Sequence, residues 1–168
     1  MTAEPALVAD HAAFEEYVRG DATALLRLAV LLAGDRDAGS DLAQEALARV
    51  ARAWRRRVPD DPHAFARTVL VNLARDRRRM LRRRPKQVPF DDGYAGTTDP
   101  FGNADLRASL LREVARLPAR QRAVLVLRFY EDLSERETAA VLGCSVSSVK
   151  THTQRALGRL RETVEEAG

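Results

Sequence analysis

The chain has 168 residues, of which 45% are hydrophobic and 31% are charged, a balance typical of a folded globular protein. This length accommodates one ordinary domain or two small helical ones. It has no apolar run of about eighteen residues, its N-terminus lacks the layout of a signal peptide, and Cys144 is its one cysteine. We therefore expect no membrane insertion, no disulfide framework and a cytoplasmic location.

The net charge of +4 conceals an uneven distribution. Residues 49–84 carry thirteen basic and three acidic side chains, a net +10, whereas residues 1–48 are net −6. Residues 85–105 are net −3 and residues 106–168 are net +3. So concentrated a positive block indicates a surface that binds nucleic acid. An anionic lipid surface fits less well, because no aromatic-rich apolar face accompanies the charge.

The first part of the chain is predicted to be helical. Two short helices, at about 10–19 and 23–32, are expected to be separated by a break near Gly20 and Asp21. A longer helix follows from about Arg36 to Trp54. Its apolar residues recur at intervals of three and four, which predicts one buried stripe. The stripe contains Leu42, Ala46, Leu47, Val50, Ala53 and Trp54, and Trp54 is expected to pack in the core rather than to stack on a base.

A loop from Arg55 to Asp61 is expected to lead into the next helix. Asp61 is a suitable N-cap and Pro62 a suitable first helical residue, and the helix should run to about Arg82. Its expected core side consists of Phe65, Val69, Leu70, Leu73 and Met80. Its end is densely cationic, with Arg75, Arg77, Arg78, Arg79, Arg82, Arg83 and Arg84. The prolines, glycines and aspartates of residues 85–104 then predict a linker.

Helices resume at Asp105. An amphipathic helix is expected from Leu106 to Leu117, and another after Pro118. A third, Glu135 to Leu142, should be capped by Ser134 with Glu137 completing a capping box. A fourth should begin after Ser145 and run to about Glu162. The expected fold is therefore all-α, with two small helical domains, 10–84 and 105–165, joined by the linker.

The last two predicted helices have the geometry of a helix-turn-helix. Their three-residue turn, Gly143 to Ser145, has glycine where a left-handed backbone is needed. The residues expected to seal the two helices together are Ala139, Leu142, Val146, Val149 and Leu157. The residues left facing outward, suited to base edges and phosphates, are Ser147, Ser148, Lys150, Thr151, Gln154 and Arg155. The alternative is a helical hairpin with a solvated polar face.

Two residue types that could carry chemistry have simpler interpretations. Cys144 is expected to be a small buried apolar residue within the turn. The three histidines, His11, His63 and His152, have no second ligand at metal-binding spacing. No paired carboxylates, nucleophile with its base, or phosphate loop is recognisable. We therefore expect no metal, no cofactor and no enzymatic activity of the chain's own.

Three blocks of the sequence resemble the extracytoplasmic-function (ECF) sigma factors of bacterial RNA polymerase, which belong to the sigma-70 family, and most closely their SigE-like subset. The blocks are GDRDAGSDLAQEALARVARAW, PHAFARTVLVNLARDRRR and LPARQRAVLVLRFYEDLSERETAAVLGCSVSSVKTHTQRAL. The resemblance covers about residues 14–163. It implies sigma region 2 at 10–84 and sigma region 4 at 105–165.

This resemblance also implies partners. In the family, region 2 binds the clamp helices of the largest polymerase subunit and recognises the −10 promoter element. Region 4 binds the flap of the second-largest subunit and recognises the −35 element. The residues that match the block in contact with core polymerase are Asp41, Leu42, Gln44 and Glu45. A polar, partly acidic face with an exposed leucine suits docking on basic helices, although an ordinary solvated helix face is the alternative.

The family positions that contact the promoter are matched to residues of this chain in the same way. The residues that match −10 positions are Arg55, Arg56, Arg57, Asp60, Asn72, Arg75, Arg77, Arg78 and Arg79. Of these, the loop after Trp54 would receive a flipped base, Asn72 would face base edges, and the later arginines would contact phosphates. The residues that match −35 positions are Arg128, Ser147, Ser148, Lys150, Thr151, Gln154 and Arg155. The family often has Gly-Thr where this chain has Ser147 and Ser148, so its −35 sequence preference is open.

The resulting hypothesis is a dissociable initiation factor that binds core RNA polymerase and promoter DNA and is held inactive by an anti-sigma factor. A stand-alone helix-turn-helix regulator that binds operators as a dimer is the second hypothesis. A protein adaptor that uses the acidic N-terminal helices is the third, and it leaves the +10 block unexplained.

Overall fold

The computed structural model describes residues 4–82 and 104–166, which are almost entirely helical and contain no strand within those ranges. The helices are α1 (Glu4–Ala33), α2 (Arg36–Arg56), α3 (Pro62–Arg82), α4 (Ala104–Arg116), α5 (Ala119–Leu125), a π-helical turn (Val126–Tyr130), α6 (Glu135–Leu142) and α7 (Val146–Glu166). Apart from its last residue, the predicted linker lies outside the described residues, as do Arg83 and Arg84.

Helix α1 is continuous, so the predicted break near Gly20 is wrong. Its buried residues Leu25, Leu28 and Leu32 lie on one side, and Phe14 packs against the same core before the glycine. A glycine inside a helix costs about 1 kcal/mol relative to alanine. Packing on both sides of Gly20 outweighs that local cost, which a prediction from local sequence could not include.

Helices α1, α2 and α3 form the core of the first domain. The buried residues of α2 are Gly39, Leu42, Ala43, Ala46, Val50 and Trp54. They include four of the six residues of the predicted stripe, and the other two, Leu47 and Ala53, are half-buried. Trp54 is 5% exposed, stacked with Tyr17 and edge-on to Phe14, each at 5.4 Å between ring centroids. Its predicted core position is therefore confirmed. Burial, aided by the charges of Asp21 and Asp61, raises the pKa of Tyr17 to about 12.

The junction between α2 and α3 differs from its prediction at one point. Arg55 and Arg56 are the last residues of α2, whereas they were predicted to belong to the loop. The predicted cap is confirmed, because the Asp61 carboxylate accepts a hydrogen bond of 2.9 Å from the Ala64 N–H. Phe65 and Met80, expected in the core, are 37% and 69% exposed, because only part of α3's apolar face meets α1 and α2.

The second domain is held by two small apolar clusters. Ala139, Val149 and Val124 form one, with Leu142 and Val146 packed against it, which confirms most of the predicted seal between α6 and α7. Leu157 packs instead with Leu117, Leu125 and Ala156, because it lies two turns further along α7 and faces α4 and α5.

The turns of the second domain follow the predicted cap chemistry. Ser134 and Glu137 form a complete capping box, and Gly143 ends α6 with φ of 65° in the left-handed region. Cys144 is exposed, contrary to the prediction of a buried residue, because it lies at the outside of this turn. The π-helical turn Val126–Tyr130 was not predicted.

The two domains pack directly on each other. The α5–π segment of the second domain contributes Val126 and Leu127 to the core of α1, α2 and α3, and Leu133 joins them from the loop before α6. Leu127 has no exposed surface. The apolar core is therefore continuous from one domain into the other.

The α1–α2 crossing requires a glycine at one point. A Cβ on Gly39 would lie 2.5 Å from the Val30 Cα, whereas one on Gly20 would meet nothing within 4 Å. We expect Gly39→Ala to lower the free energy of unfolding by roughly 1–3 kcal/mol, because the helices would have to separate. Gly20→Ala, the matched control, should raise it by about 1 kcal/mol. Urea denaturation measures both, and a Gly39→Ala protein as stable as the wild type would contradict the proposed close approach.

The capping box of α6 gives a second prediction. The Ser134 hydroxyl accepts from the Glu137 N–H at 3.1 Å, and the Glu137 carboxylate accepts from the Ser134 N–H at 2.7 Å. We expect Ser134→Ala to cost about 1 kcal/mol of stability in urea denaturation. Ser147→Ala, at an exposed position in the first turn of α7, should have almost no effect.

The same box has a pH dependence. The backbone hydrogen bond from Ser134, followed by that from its hydroxyl, lowers the pKa of Glu137. Its contribution is therefore complete above the ordinary glutamate pKa and is lost as the pH falls through the lowered value. Between about pH 6 and pH 3, Glu137→Gln should lose less stability than the wild type; equal losses would show that the carboxylate is not held in this way.

Candidate functional site

The outward face of α7 is a row of polar and cationic side chains. Ser147, Lys150, Thr151, Gln154 and Arg155 are all exposed, as the sequence predicts. Lys150 lies 3.7 Å from Glu135, a partly exposed pair, and such pairs hold weakly. The face therefore offers donors of hydrogen bonds and two exposed cations in the N-terminal half of α7.

Ser148 differs from its exposed neighbours. It is half-buried, its N–H donates to the Ser145 hydroxyl at 3.1 Å, and the Ser145 hydroxyl donates to its oxygen at 3.0 Å. These bonds close the first turn of α7. Ser148 therefore positions the helix start, while Ser147 points outward.

The electrostatic environment of α7 is positive. Partial burial, and then the charges of Arg120 and Arg155, lower the pKa of His152, which favours the neutral imidazole. His152 lies on the half of α7 that faces α3.

Arg128 is placed differently from the other predicted −35 residues. It is half-buried, and its guanidinium donates to the Leu133 carbonyl and lies 5.7 Å from the Phe129 ring centroid. In this structure it holds the loop between the π-helical turn and α6, and its contact with DNA stays a prediction.

The predicted −10 residues lie at the end of α2, in the loop that follows it, and along α3. Arg57 and Asp60 are exposed and 3.5 Å apart in the five-residue loop. About three turns into α3, Arg75 donates to the Asn72 side-chain oxygen at 3.0 Å. This bond leaves the amide nitrogen of Asn72 available to an acceptor. Arg55, Arg56, Arg75 and Arg79 are exposed, and Arg77 and Arg78 are half-buried.

The predicted polymerase-docking residues do not all share one face. Asp41, Gln44 and Glu45 are exposed, but Leu42 is 5% exposed. The prediction of an exposed leucine is therefore wrong. Leu42 lies one turn before Ala46 and two before Val50, on the buried stripe, about 160° around the helix from Gln44 and about 60° from Glu45.

A cleft lies between the domains, and the exposed face of α7 described above does not line it. It has a volume of about 440 Å³, and its lining includes Arg75, Arg77 and Arg79 of α3 and Ser148 and His152 of α7. Leu42 also lines it. Of the described residues that line this cleft, none is acidic.

Sequence analysis missed the polar contacts that join the domains. Arg122 of α5 donates to the Leu32 and Ala33 carbonyls of α1, and Glu131 binds His63 and Arg67 of α3. The partners are 64 to 90 residues apart, so no local spacing signals them.

The described residues contain neither a membrane-spanning helix nor a metal-binding cluster. No helix among them is long and apolar enough to cross a bilayer. No group of three or more histidine, cysteine or acidic side chains in those ranges could hold a metal ion.

Comparison with known proteins identifies both halves. The family model of sigma-70 region 2 matches residues 18–84, and that of sigma-70 region 4 matches residues 107–160. The chain is 38% identical to the RNA polymerase sigma-E factor of Streptomyces avermitilis, over 90% of this chain and 85% of that protein. It is 40% identical to the factor of the same name in Streptomyces coelicolor, over 89% and 84%.

More distant relatives and solved structures agree. The ECF RNA polymerase sigma factor RpoE of Cereibacter sphaeroides is 31% identical over 91% of this chain and 87% of its own. The fold is similar to that of the sigma factor RpoE of Bartonella quintana, solved with the anti-sigma factor NepR, with a TM-score of 0.68, 22% identity, and 91% and 97% of the two chains covered. It is also similar to CnrH, solved with the cytosolic domain of CnrY, with a TM-score of 0.63, 23% identity, and 94% and 91% covered. The chain therefore belongs to the sigma-70 family, among the ECF sigma factors of RNA polymerase.

Proposed function

We propose that this sigma factor binds core RNA polymerase through α2 and directs it to promoters through two separate DNA-binding faces, one on each domain. The observation that carries this proposal is the pairing of an exposed polar face on α7 with an arginine-rich face on α3. The polymerase performs the chemistry, so the chain is not an enzyme in its own right. It acts in the cytoplasm, with the polymerase.

The α3 face supports recognition and melting of the −10 element. Its exposed arginines Arg75 and Arg79 suit phosphate contacts, which give affinity with little sequence choice. Asn72, whose oxygen is held by Arg75, would donate its amide N–H to a base acceptor. The exposed loop residues Arg57 and Asp60 would flank an extruded base, whose capture offsets a few kcal/mol of unstacking.

The α7 face supports recognition of the −35 element. Lys150 and Arg155 are exposed cations near the helix start, and Thr151 and Gln154 lie between them on the same face. In a helix-turn-helix the second helix enters the major groove with such residues toward base edges. Ser147 would contact a phosphate or a base, while Ser148 and Arg128 would act by holding the helix start and the loop before α6.

The polymerase-docking site would be the exposed acidic and polar side of α2. Asp41, Gln44 and Glu45 form it, with Glu45 paired to Arg49 at 2.8 Å and Asp41 lying 3.7 Å from Arg77. Both are surface pairs that exchange partners at little cost. Leu42 would support this face from the core instead of touching the polymerase. The second domain would bind the flap of the second-largest subunit.

A protein inhibitor is the remaining proposed partner. The Bartonella quintana relative in fold was solved with an anti-sigma factor, and the family resemblance implies a partner of that class here. A stand-alone dimeric regulator remains the competing function, and it differs in requiring no polymerase.

Transcription with purified core polymerase tests the proposal. Added protein should give start-site-specific transcripts from a panel of promoters, and core alone should give none. Lys150→Ala with Arg155→Ala should lower transcription from promoters with a −35 element by about tenfold or more, since each contact contributes on the order of 1 kcal/mol. The absence of any specific transcript, with tight binding of the free protein to duplex DNA, would favour the dimeric regulator.

The docking site has a matched pair of variants. Glu45→Ala and Arg49→Ala each remove the same surface ion pair, so they alter helix stability equally, by about 0.5 kcal/mol or less. We expect Glu45→Ala to weaken binding to core polymerase several-fold, and Gln44→Ala with Glu45→Ala to weaken it further, because the partner helices are expected to be basic. Arg49→Ala should bind as the wild type does.

Fluorescence titration with core polymerase measures both affinities. Equal affinities for the two variants, with helicity unchanged by circular dichroism, would contradict the assignment of this face.

A further inference from the structure

The cleft is a cationic cavity whose described lining supplies no carboxylate. Its arginines come from α3 and α5, and the imidazole of His152 on α7 joins them. The arginines that line it are Arg75, Arg77, Arg78, Arg79, Arg120 and Arg122. Among the lining residues that the structure describes, none is acidic. A cavity of this composition attracts anions.

The cations lie close enough to act on one another. Burial, and then the charge of Arg78, lower the pKa of Arg122. Partial burial, and then the charges of Arg120 and Arg155, lower the pKa of His152. Like charges from α3, α5 and α7 therefore oppose one another in this region. An anion placed among them would turn that repulsion into attraction.

Charges are matched differently elsewhere in the same molecule. The Glu131 carboxylate is 8% exposed and lies 3.0 Å from Arg67 and 2.9 Å from the His63 ring. There the chain provides an acidic partner for its buried cations, as burial of charge requires. The described lining of the cleft provides none, and this difference favours an external anion as the partner.

The size and the apolar part of the cleft restrict the class of anion. Its volume of about 440 Å³ lies within the roughly 300–1,000 Å³ of small-molecule sites. The apolar lining residues that keep some exposed surface are Ala74, Leu81, Ala123 and Leu142. Guanidinium groups bind phosphate through paired, planar hydrogen bonds, and apolar side chains cover a flat ring. A ligand with both parts is a nucleotide.

We propose that the cleft binds a nucleotide with at least two phosphates, which lie on Arg79 and Arg120 while the base contacts the apolar lining. These two arginines are exposed, whereas the Arg122 guanidinium is bonded to backbone carbonyls. Arg79 also belongs to the proposed −10 face, but Arg120 belongs to neither proposed DNA-binding face. Arg120 is therefore the residue that tests the site separately.

Calorimetric titration of the full chain with ATP and GTP measures the affinity. At least one of them should bind with a stoichiometry of one at physiological ionic strength. Pyrophosphate has the same linked phosphates without a base, and AMP has one phosphate. Each should bind about tenfold or more weakly than that nucleotide, because each lacks one of the two sets of contacts.

A pair of arginine variants tests the position of the ligand. Arg120→Ala should weaken nucleotide binding by about tenfold or more, because a charge-assisted hydrogen bond is lost. Arg112→Ala is the matched control. It removes an exposed arginine of α4 that does not line the cleft, and it should bind the nucleotide as the wild type does. Circular dichroism confirms that both variants keep their helicity.

Cys144 reports on occupancy of the cleft. It is the chain's one cysteine, it is exposed, and it lines the cleft. The nucleotide should slow alkylation of Cys144 by iodoacetamide in the wild type and in Arg112→Ala. At the same nucleotide concentration, the alkylation rate of Arg120→Ala should stay close to its rate without ligand.

Each other outcome would overturn the inference. Failure of both nucleotides to bind would exclude the site. Equal weakening by the two arginine variants would show only general attraction of anions to a basic protein. Pyrophosphate as tight as the nucleotides would exclude the contact with the base. A single-stranded oligonucleotide that protects Cys144 where free nucleotides do not would assign the cleft to nucleic acid. None of these measurements involves transcription, so failure of the proposed function would leave this inference standing.

Discussion

The guanidinium of Arg122 is the contact on which the arrangement of the two domains depends. It bonds to backbone carbonyls in both domains, so neither the end of α1 nor the α4–α5 corner is complete without it. Burial, followed by the nearby charge of Arg78, lowers the pKa of Arg122, yet a guanidinium remains charged at neutral pH. The carbonyls compensate for the water that it has lost. Stability is therefore shared between the domains, and unfolding of either one exposes polar groups of the other.

The charge distribution opposes this packing. The cleft gathers arginines from α3 and α5, and none of its described lining residues is acidic. Glu131 and the apolar residues Leu127 and Leu133 offset that repulsion elsewhere in the interface. Favourable and unfavourable contributions therefore act together across the contact between the domains. A polyanion bound to these arginines would neutralise their charges and so remove the repulsion between them.

Local chemistry explains which features were predictable from sequence. The Asp61 cap, the Ser134–Glu137 box and the Gly143 turn each depend on residues within one helical turn, and all three were predicted. The outward face of α7 follows from helical periodicity, so its exposed residues were predicted as well. The role of that face came from resemblance to a family, because geometry alone also permits a solvated hairpin.

The failures have a common physical origin in tertiary packing. Gly20 lowers the local helix propensity of α1, but packing contacts on both sides of it keep the helix continuous. Leu42 was expected both on the buried stripe of α2 and as an exposed residue of the docking face, and only the first expectation is confirmed. Arg128 resembles an exposed cation, but a carbonyl five residues away holds it. The pairs that join the domains depend on residues too far apart in sequence for any local rule.

The π-helical turn Val126–Tyr130 ties the interface to an exact chain length. The Glu131 N–H bonds to the Val126 carbonyl five residues back, one more than in an α-helix. Because each helical residue turns the chain by about 100°, deleting one residue here would restore α geometry and rotate Glu131 and Leu133 away from the first domain. Relatives that share this packing are therefore expected to vary in length between α3 and α4 but not between Val124 and Glu131. Gaps in a family alignment would then mark which members pack their two domains on each other as this chain does.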